Sequence, residues 1–342
     1  MASNTRNNTG WCKLKSILQG GRYDYACCEI DDHRMIIAGG LDSDGFLLSC
    51  CVSYDARTEQ WTRLPNNMPS ALFDCRSVVS SNGTYMYVIG GRGSSGAVNI
   101  MYRLSLENYK WTSMASMGTA RALCAAVLKG DYIYIFGGIN RYVLASAERY
   151  SIDDNAWEAL PDMANGRYNH CAVTASSRSD IYIVSGCTML PIDILDTKTL
   201  MWKNNRLSIP ESRTNAATVM LKDRYLVIVG GYNSPALGGV LAGVFASSRC
   251  LIYDCLYSRW SWTPTFMEMN TARGYHTTAV LGEKVIVAGG KNSGHILLSS
   301  MEVVDTRTVL EFAPVIYPLP DFLFNQILQI GKAVDDEVAF GF

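Results

Sequence analysis

One pattern recurs six times along the chain: a run of β-branched and aromatic residues that ends in a pair of glycines. The copies are Met35 to Gly40, Met86 to Gly91, Ile133 to Gly138, Ile181 to Gly186, Leu226 to Gly231 and Val285 to Gly290, and the fourth has Ser185 in place of its first glycine. First-glycine positions are 51, 47, 48, 45 and 59 residues apart. Such a period describes stacked units, none of which can bury its apolar faces alone. Short strands that end in glycine further restrict the units to β-sheet.

Two more marks keep register with the glycines. An arginine lies 14 to 18 residues before each pair: Arg22, Arg76, Arg121, Arg167, Arg213 and Arg273. Downstream, a hydrophobic residue precedes a tryptophan by seven positions: Tyr54 and Trp61, Leu104 and Trp111, Tyr150 and Trp157, Leu195 and Trp202, Tyr253 and Trp260. The sixth copy keeps Val304-Asp305 but has Glu311 where its tryptophan should be.

These marks, with Tyr54-Asp55, Tyr253-Asp254 and Trp157-Glu158-Ala159-Leu160-Pro161, resemble the Kelch-repeat family over residues 22 to about 312. The resemblance implies an all-β, Kelch-type β-propeller of four-stranded blades in which helix is scarce. The whole chain, residues 1–342, reads as a single propeller domain. Its repeats lie near residues 22–64, 76–114, 121–161, 167–207, 213–262 and 273–312.

The termini set the blade count. Trp11-Cys12-Lys13-Leu14 precedes Arg22 at a distance that suits the last strand of a preceding blade. Residues 326–330 and 338–341 imitate the first two strands of another repeat, and Gly341 follows Gly289 by 52 residues, in phase. Seven blades are therefore the preferred expectation, with residues 1–14 and 325–342 forming a composite closing blade. In the six-blade alternative Trp11 completes the sixth blade and residues 313–342 are an appended tail, with a short capped helix over 321–331.

Composition excludes several functions. Lys and Arg total 30 against 31 Asp and Glu, with no basic block, so a nucleic-acid groove is not expected. Tyr225 to Ser248 carries no charge, but five glycines and Pro235 break it, so a membrane span is not expected either. The eleven cysteines are odd in number with no CxxC, and residues 1–10 are polar. They read as reduced thiols of a cytoplasmic or nuclear protein, and the sequons at Asn7 and Asn82 as chance matches.

Motifs that suggest chemistry have plainer explanations. Gly91-Arg92-Gly93-Ser94-Ser95-Gly96 has the dinucleotide spacing but is followed by a strand pattern rather than a helix. His170 and His276 each fall three residues after a repeat arginine, as packing residues would. Glu268, Ala272 and His276 echo the iron-ligand spacing of Kelch-type plant specifier proteins, but the middle carboxylate is absent. The Tyr, Cys and two-His set of Kelch-type copper oxidases has no clear counterpart. No catalytic residue, metal or cofactor is expected.

The resemblance implies a non-catalytic protein-interaction module, a scaffold or substrate adaptor that binds a partner protein or peptide on a loop face. Kelch adaptor propellers hold partners with residues just after Gly-Gly and around the repeat arginine. Carried over, these are Arg92, Asn140, Arg141, Tyr232, Asn233, Lys291 and Asn292, with Tyr23, Tyr168, Asn169 and Tyr275. The mixture of basic, amide and aromatic groups suits a partner segment that carries carboxylates. A monomer is preferred. No BTB, F-box or BACK-like segment is recognised, so a ligase contact would come from another chain. The fifth repeat takes 22 residues from Gly231 to Tyr253, against 9 to 14 elsewhere. Its extra apolar segment, Pro235 to Phe245, is expected to touch the channel or a partner, or else to fold back on its own blade. The alternative function is a propeller enzyme that acts on a sugar or other small molecule at the channel mouth.

Overall fold

The computed structural model describes residues 10–14, 21–186, 191–203, 208–233 and 245–313, together with the backbone of 236–237 and 240–241. Six antiparallel four-stranded sheets are arranged as blades. Blade 1 runs through Ala26–Glu29, Arg34–Ala38, Cys51–Asp55 and Gln60–Arg63. Blades 2 to 5 repeat that order from inner strands Arg76–Val79, Ala125–Lys129, His170–Thr174 and Ala217–Leu221. Blade 6 holds Thr277–Leu281, Lys284–Ala288 and Met301–Asp305, and takes its outer strand, Cys12–Leu14, from the other end of the chain.

This is the six-blade alternative, and it corrects the preference for seven. Inner strands of blades 6 and 1 are direct neighbours, as every other consecutive pair is. The Tyr25 hydroxyl donates to the Ala288 carbonyl at 2.7 Å, and the Val280 N–H donates to Glu29 Oε1 at 2.6 Å. Those contacts close the ring where a seventh blade would have to enter. Residues 314–342, including the 325–342 segment assigned to a closing blade and the possible helix at 321–331, lie outside the described residues.

The missing sixth tryptophan has a local cause. After Met301–Asp305 the chain turns into a short helix, Thr306–Leu310, capped by Asp305 accepting from the Arg307 N–H at 2.8 Å. The outer place in the sheet is thus left to Cys12–Leu14. Trp11 anchors it, buried among Met267, Val304 and Val309, with Nε1 donating to the Met267 carbonyl at 3.1 Å.

Each strand before a glycine pair is almost wholly buried, as between neighbouring sheets. Full burial of such an apolar side chain stabilises by about 1.5–3 kcal/mol. The glycines allow the close approach. At Gly90, φ is +58° and a β-carbon would stand 2.5 Å from the Arg121 carbonyl oxygen of the next blade. The following N–H, of Gly91, donates to that same carbonyl at 2.8 Å. Tyrosine and tryptophan face each other across the two outer strands, with ring centroids 5.0 Å apart for Tyr54–Trp61 and 4.8 Å for Tyr253–Trp260.

Among the described residues, all cysteines are free thiols, and no helix is long and apolar enough to cross a membrane.

Candidate binding face and channel

The two groups of positions singled out in the sequence meet at one mouth of the channel. In five blades the residue after the repeat-arginine place, which in blade 2 is held by Leu72, bridges the residue after the glycine pair: Tyr23 to Leu41, Phe73 to Arg92, Ala122 to Ile139, Thr214 to Tyr232 and Gly274 to Lys291. The next residue round the ring is Asp24, Asp74, Leu123, Asn169, Asn215 or Tyr275, each in the left-handed region with φ between 53° and 56°. Their main chains form a belt: Asp74, Leu123, Asn169, Asn215 and Tyr275 each donate N–H to the carbonyl of the preceding member, at 2.8–3.2 Å.

The alignment of the blades moves one marker. Leu72, not Arg76, holds the repeat-arginine place in blade 2, because Phe73 and Asp74 take the bridge and belt positions. Arg76 instead begins the inner strand and lines the channel. Its spacing of 14 residues from Gly90 was the shortest of the six, and that was the sequence signal. The other repeat arginines are fully buried and structural. Arg273, for example, donates to the carbonyls of Gly289 (3.0 Å) and Ser300 (2.9 Å) and pairs with Glu302 at 2.6 Å.

The named mouth residues divide by what they touch. Lys291 Nζ sits over the Tyr23 ring, 3.5 Å from its centroid, with the Tyr275 ring 5.9 Å away. Arg92 is about one-third exposed and pairs with buried Asp74 at 3.3 Å. Asn140 ends the first strand of a small hairpin with an exposed tip, Arg141, next to Tyr142. Asn233 donates to Glu211 at 3.3 Å, and Tyr168 is half-buried. Asn169 is buried in the belt.

Tyr232 and Asn292 build the rim itself. The Tyr232 ring is buried, and its hydroxyl lies 2.9 Å from the Asn292 carbonyl and 3.2 Å from that of Lys291. Asn292 Oδ1 accepts from the N–H groups of Gly294 and Ile296, which fixes its own turn. Around the mouth, the hairpins that follow the glycines expose apolar side chains: Phe46, Tyr142, Phe245 and Ile296. The insertion of the fifth repeat forms strand pairs Tyr232–Asn233 with Phe245–Ala246 and Ala236–Leu237 with Val240–Leu241.

Sequence reading missed the acids. Burial pushes the Asp24 carboxyl up to about 7, and the charge of Asp74 adds to this, while Lys291, Arg76 and Arg92 oppose it. Burial likewise raises Asp74 to about 6, against the pull of Arg76 and Arg92. The Tyr275 phenol is also raised, by burial and then by the same two acids. No motif marks these aspartates. Their offset of two residues from the repeat-arginine place was the only available sign.

Below the mouth the inner strands enclose a cavity of about 200 Å³, to which Asp24, Arg76, Cys171, Asn215, Tyr275 and His276 contribute. A second space of about 450 Å³ continues beneath it, with Glu29 on its wall. His170 and His276 are buried between blades, their rings close under Gly137 and Gly230. Burial, then the neighbouring Arg273, drives His276 down to about 3; burial and Arg167 act the same way on His170. Both are neutral wedges at physiological pH. Among the described residues, no group of three or more His, Cys, Asp or Glu could hold a metal ion.

A family model described as the KLHDC2/KLHL20/DRC7 Kelch-repeats domain matches residues 4–186, a little over half of the chain, and the Kelch motif matches residues 272–308. The chain belongs to the Kelch-repeat family. Similar proteins include alpha-scruin of Limulus polyphemus, 26% identical over 186 residues, covering 51% of this chain and 20% of scruin. Human Kelch-like protein 34 is 32% identical over 148 residues, 41% of this chain and 22% of that protein. Human Kelch-like protein 38 is 24% identical over 267 residues, covering 75% of this chain and 42% of the relative. The chain therefore spans less than half the length of these curated relatives.

Proposed function

We propose that this propeller is a protein-interaction module that holds an extended, carboxylate-bearing segment of a partner across the channel mouth, in the cytoplasm. The observation that carries this reading is the layout of the rim. Arg92, Arg141 and Lys291 stand on hairpins of blades 2, 3 and 6, and exposed apolar side chains stand on those of blades 1, 3, 5 and 6. A segment with acidic and aromatic side chains matches both, since exposed aromatic and arginine groups are the usual anchors of an interface. Tyr23 and Tyr275 offer flat faces beside Lys291.

Selection of a random peptide display library on the folded chain tests it. Enrichment of Asp- and Glu-containing sequences is expected, weakening with salt and lost in the Arg92→Ala, Lys291→Ala double variant. Equal enrichment on the double variant would remove the rim charges from the reading. If recognition then disappears on replacing residues 235–244, it belongs to the fifth-repeat insertion.

A second reading, chemistry on a small molecule in the channel, is favoured by one observation: Asp24, Arg76 and His276 converge on one cavity. Turnover of a sugar anomer by the purified chain, abolished in Asp24→Asn, would support it over the first.

A further inference from the structure

We propose that the channel below the rim is a separate binding site for a compact carboxylate, with Arg76 as its anchor. The position that Arg76 occupies on its inner strand is held in the other five blades by Ala26, Ala125, Cys171, Ala217 and Thr277. Five small residues leave space at that level, and one guanidinium lines it. The contrast is not a packing requirement, because the blades that carry alanine there pair their strands in the same way.

The guanidinium has donors to spare. Its hydrogen bond is to the Cys75 carbonyl, at 3.2 Å, and among the described residues it forms no ion pair. Asp74, the nearest candidate on its own blade, is engaged by Arg92 instead. The charge of Arg76 is nevertheless felt widely. It opposes the upward shifts of Asp24 and Asp74, and of the thiols of Cys75, Cys124 and Cys171 at the starts of three inner strands. A planar fork with several free N–H groups on a low-dielectric wall suits a carboxylate, which can accept two of them side by side. Glu29 on the wall of the lower space and Asp24 on the wall of the upper one each disfavour an anion when ionised, and Arg76 is the one Lys or Arg among the lining residues that draws it in.

Two sources could supply the carboxylate: a small free acid, or a side chain of a docked segment. The site itself does not depend on the rim reading, so the two can fail separately. Malonate, with its neutral diamide as control, is titrated calorimetrically into the full chain, the Arg76→Ala variant and the Arg92→Ala, Lys291→Ala double variant. Malonate but not malonamide is expected to bind the parent. Affinity should fall at least tenfold in Arg76→Ala and less than twofold in the rim double variant. Alanine is native at this position in three blades, so the variant is expected to fold, and an unchanged melting curve checks that. Should it fail to fold, Arg76→Lys, which keeps the charge but loses the fork, must still weaken binding.

Competition between malonate and a rim-selected acidic peptide would identify a partner side chain as the source. Binding of both at once would identify a free acid. Absence of malonate binding to the parent at tens of millimolar, or equal binding by Arg76→Ala, overturns the proposal.

Discussion

The main-chain N–H of Asp74 donates to the main-chain carbonyl of Asp24 at 2.8 Å, so two carboxylates of adjacent blades are fixed on one rim. Both are raised by burial, and Asp24 further by Asp74. A carboxyl with a folded pKa above its unfolded value gives stability that is complete below the unfolded value. That stability is lost as pH rises through the folded value. For Asp24 the window runs from 3.8 to about 7. Relative to the parent, Asp24→Asn should therefore gain about 2–3 kcal/mol between pH 5 and pH 8, at about 1.4 kcal/mol per pKa unit. Urea unfolding at both pH values measures the difference. The histidine contributions, of opposite sign, cancel in it, and a flat difference would show that Asp24 titrates normally.

Arg273 and Glu302 form an ion pair with both side chains fully buried. Glu302→Ala strands a guanidinium in the core and should cost about 3–5 kcal/mol. Glu283, whose partner Arg307 is as exposed as itself, provides the contrast. Its alanine variant should change stability by less than about 0.5 kcal/mol. Denaturation midpoints of the two variants that coincide would contradict this assignment of the repeat arginine.

Trp157 packs on Tyr150 with centroids 5.2 Å apart, and its indole N–H donates to the Ala115 carbonyl of the preceding blade at 2.8 Å. The ring is half-buried, not enclosed. Trp157→Ala should thus cost about 2–3 kcal/mol, below the 3–5 kcal/mol of a fully buried aromatic. A loss under about 1 kcal/mol in chemical denaturation would mean that the inter-blade contact contributes little.

Removal of residues 1–14 takes away Cys12–Leu14 and Trp11, and leaves Met301–Asp305 as an open edge. Size-exclusion chromatography should show oligomers or aggregate, as unpaired strand edges recruit one another. A monomeric truncated chain that melts at the parent's temperature would show that the outer strand is dispensable.

The scaffold was legible because its marks are backbone requirements. Gly90 stands where the next blade's Arg121 carbonyl leaves no room for a side chain, Gly91 where the Phe73 carbonyl of its own blade does, and Trp61 or Trp157 must face a fixed cross-strand partner. The blade count was harder. Trp11 was read correctly as an outer strand, but the in-phase Gly341 drew it towards a separate blade; the tyrosine hydroxyl that closes the ring leaves no trace in periodicity. At the mouth, positions beside Gly-Gly were readable, whereas Asp24, Asp74 and the inward turn of Arg76 depend on register between blades. A marker shifted by four residues, with Leu72 taking the arginine's place, hid a channel residue among scaffold residues.

Cys12 pairs with Val303, 291 positions later in the chain. A ribosome adding about 5–20 residues per second needs roughly 15–60 s to make that partner. Throughout this interval the first strand and Trp11 have no sheet to join, while blades 1 to 5 can already stack. Closure therefore waits for the sixth blade, and a nascent chain that stalls before residue 301 is an arc with a loose end, a natural substrate for chaperones until that sheet emerges.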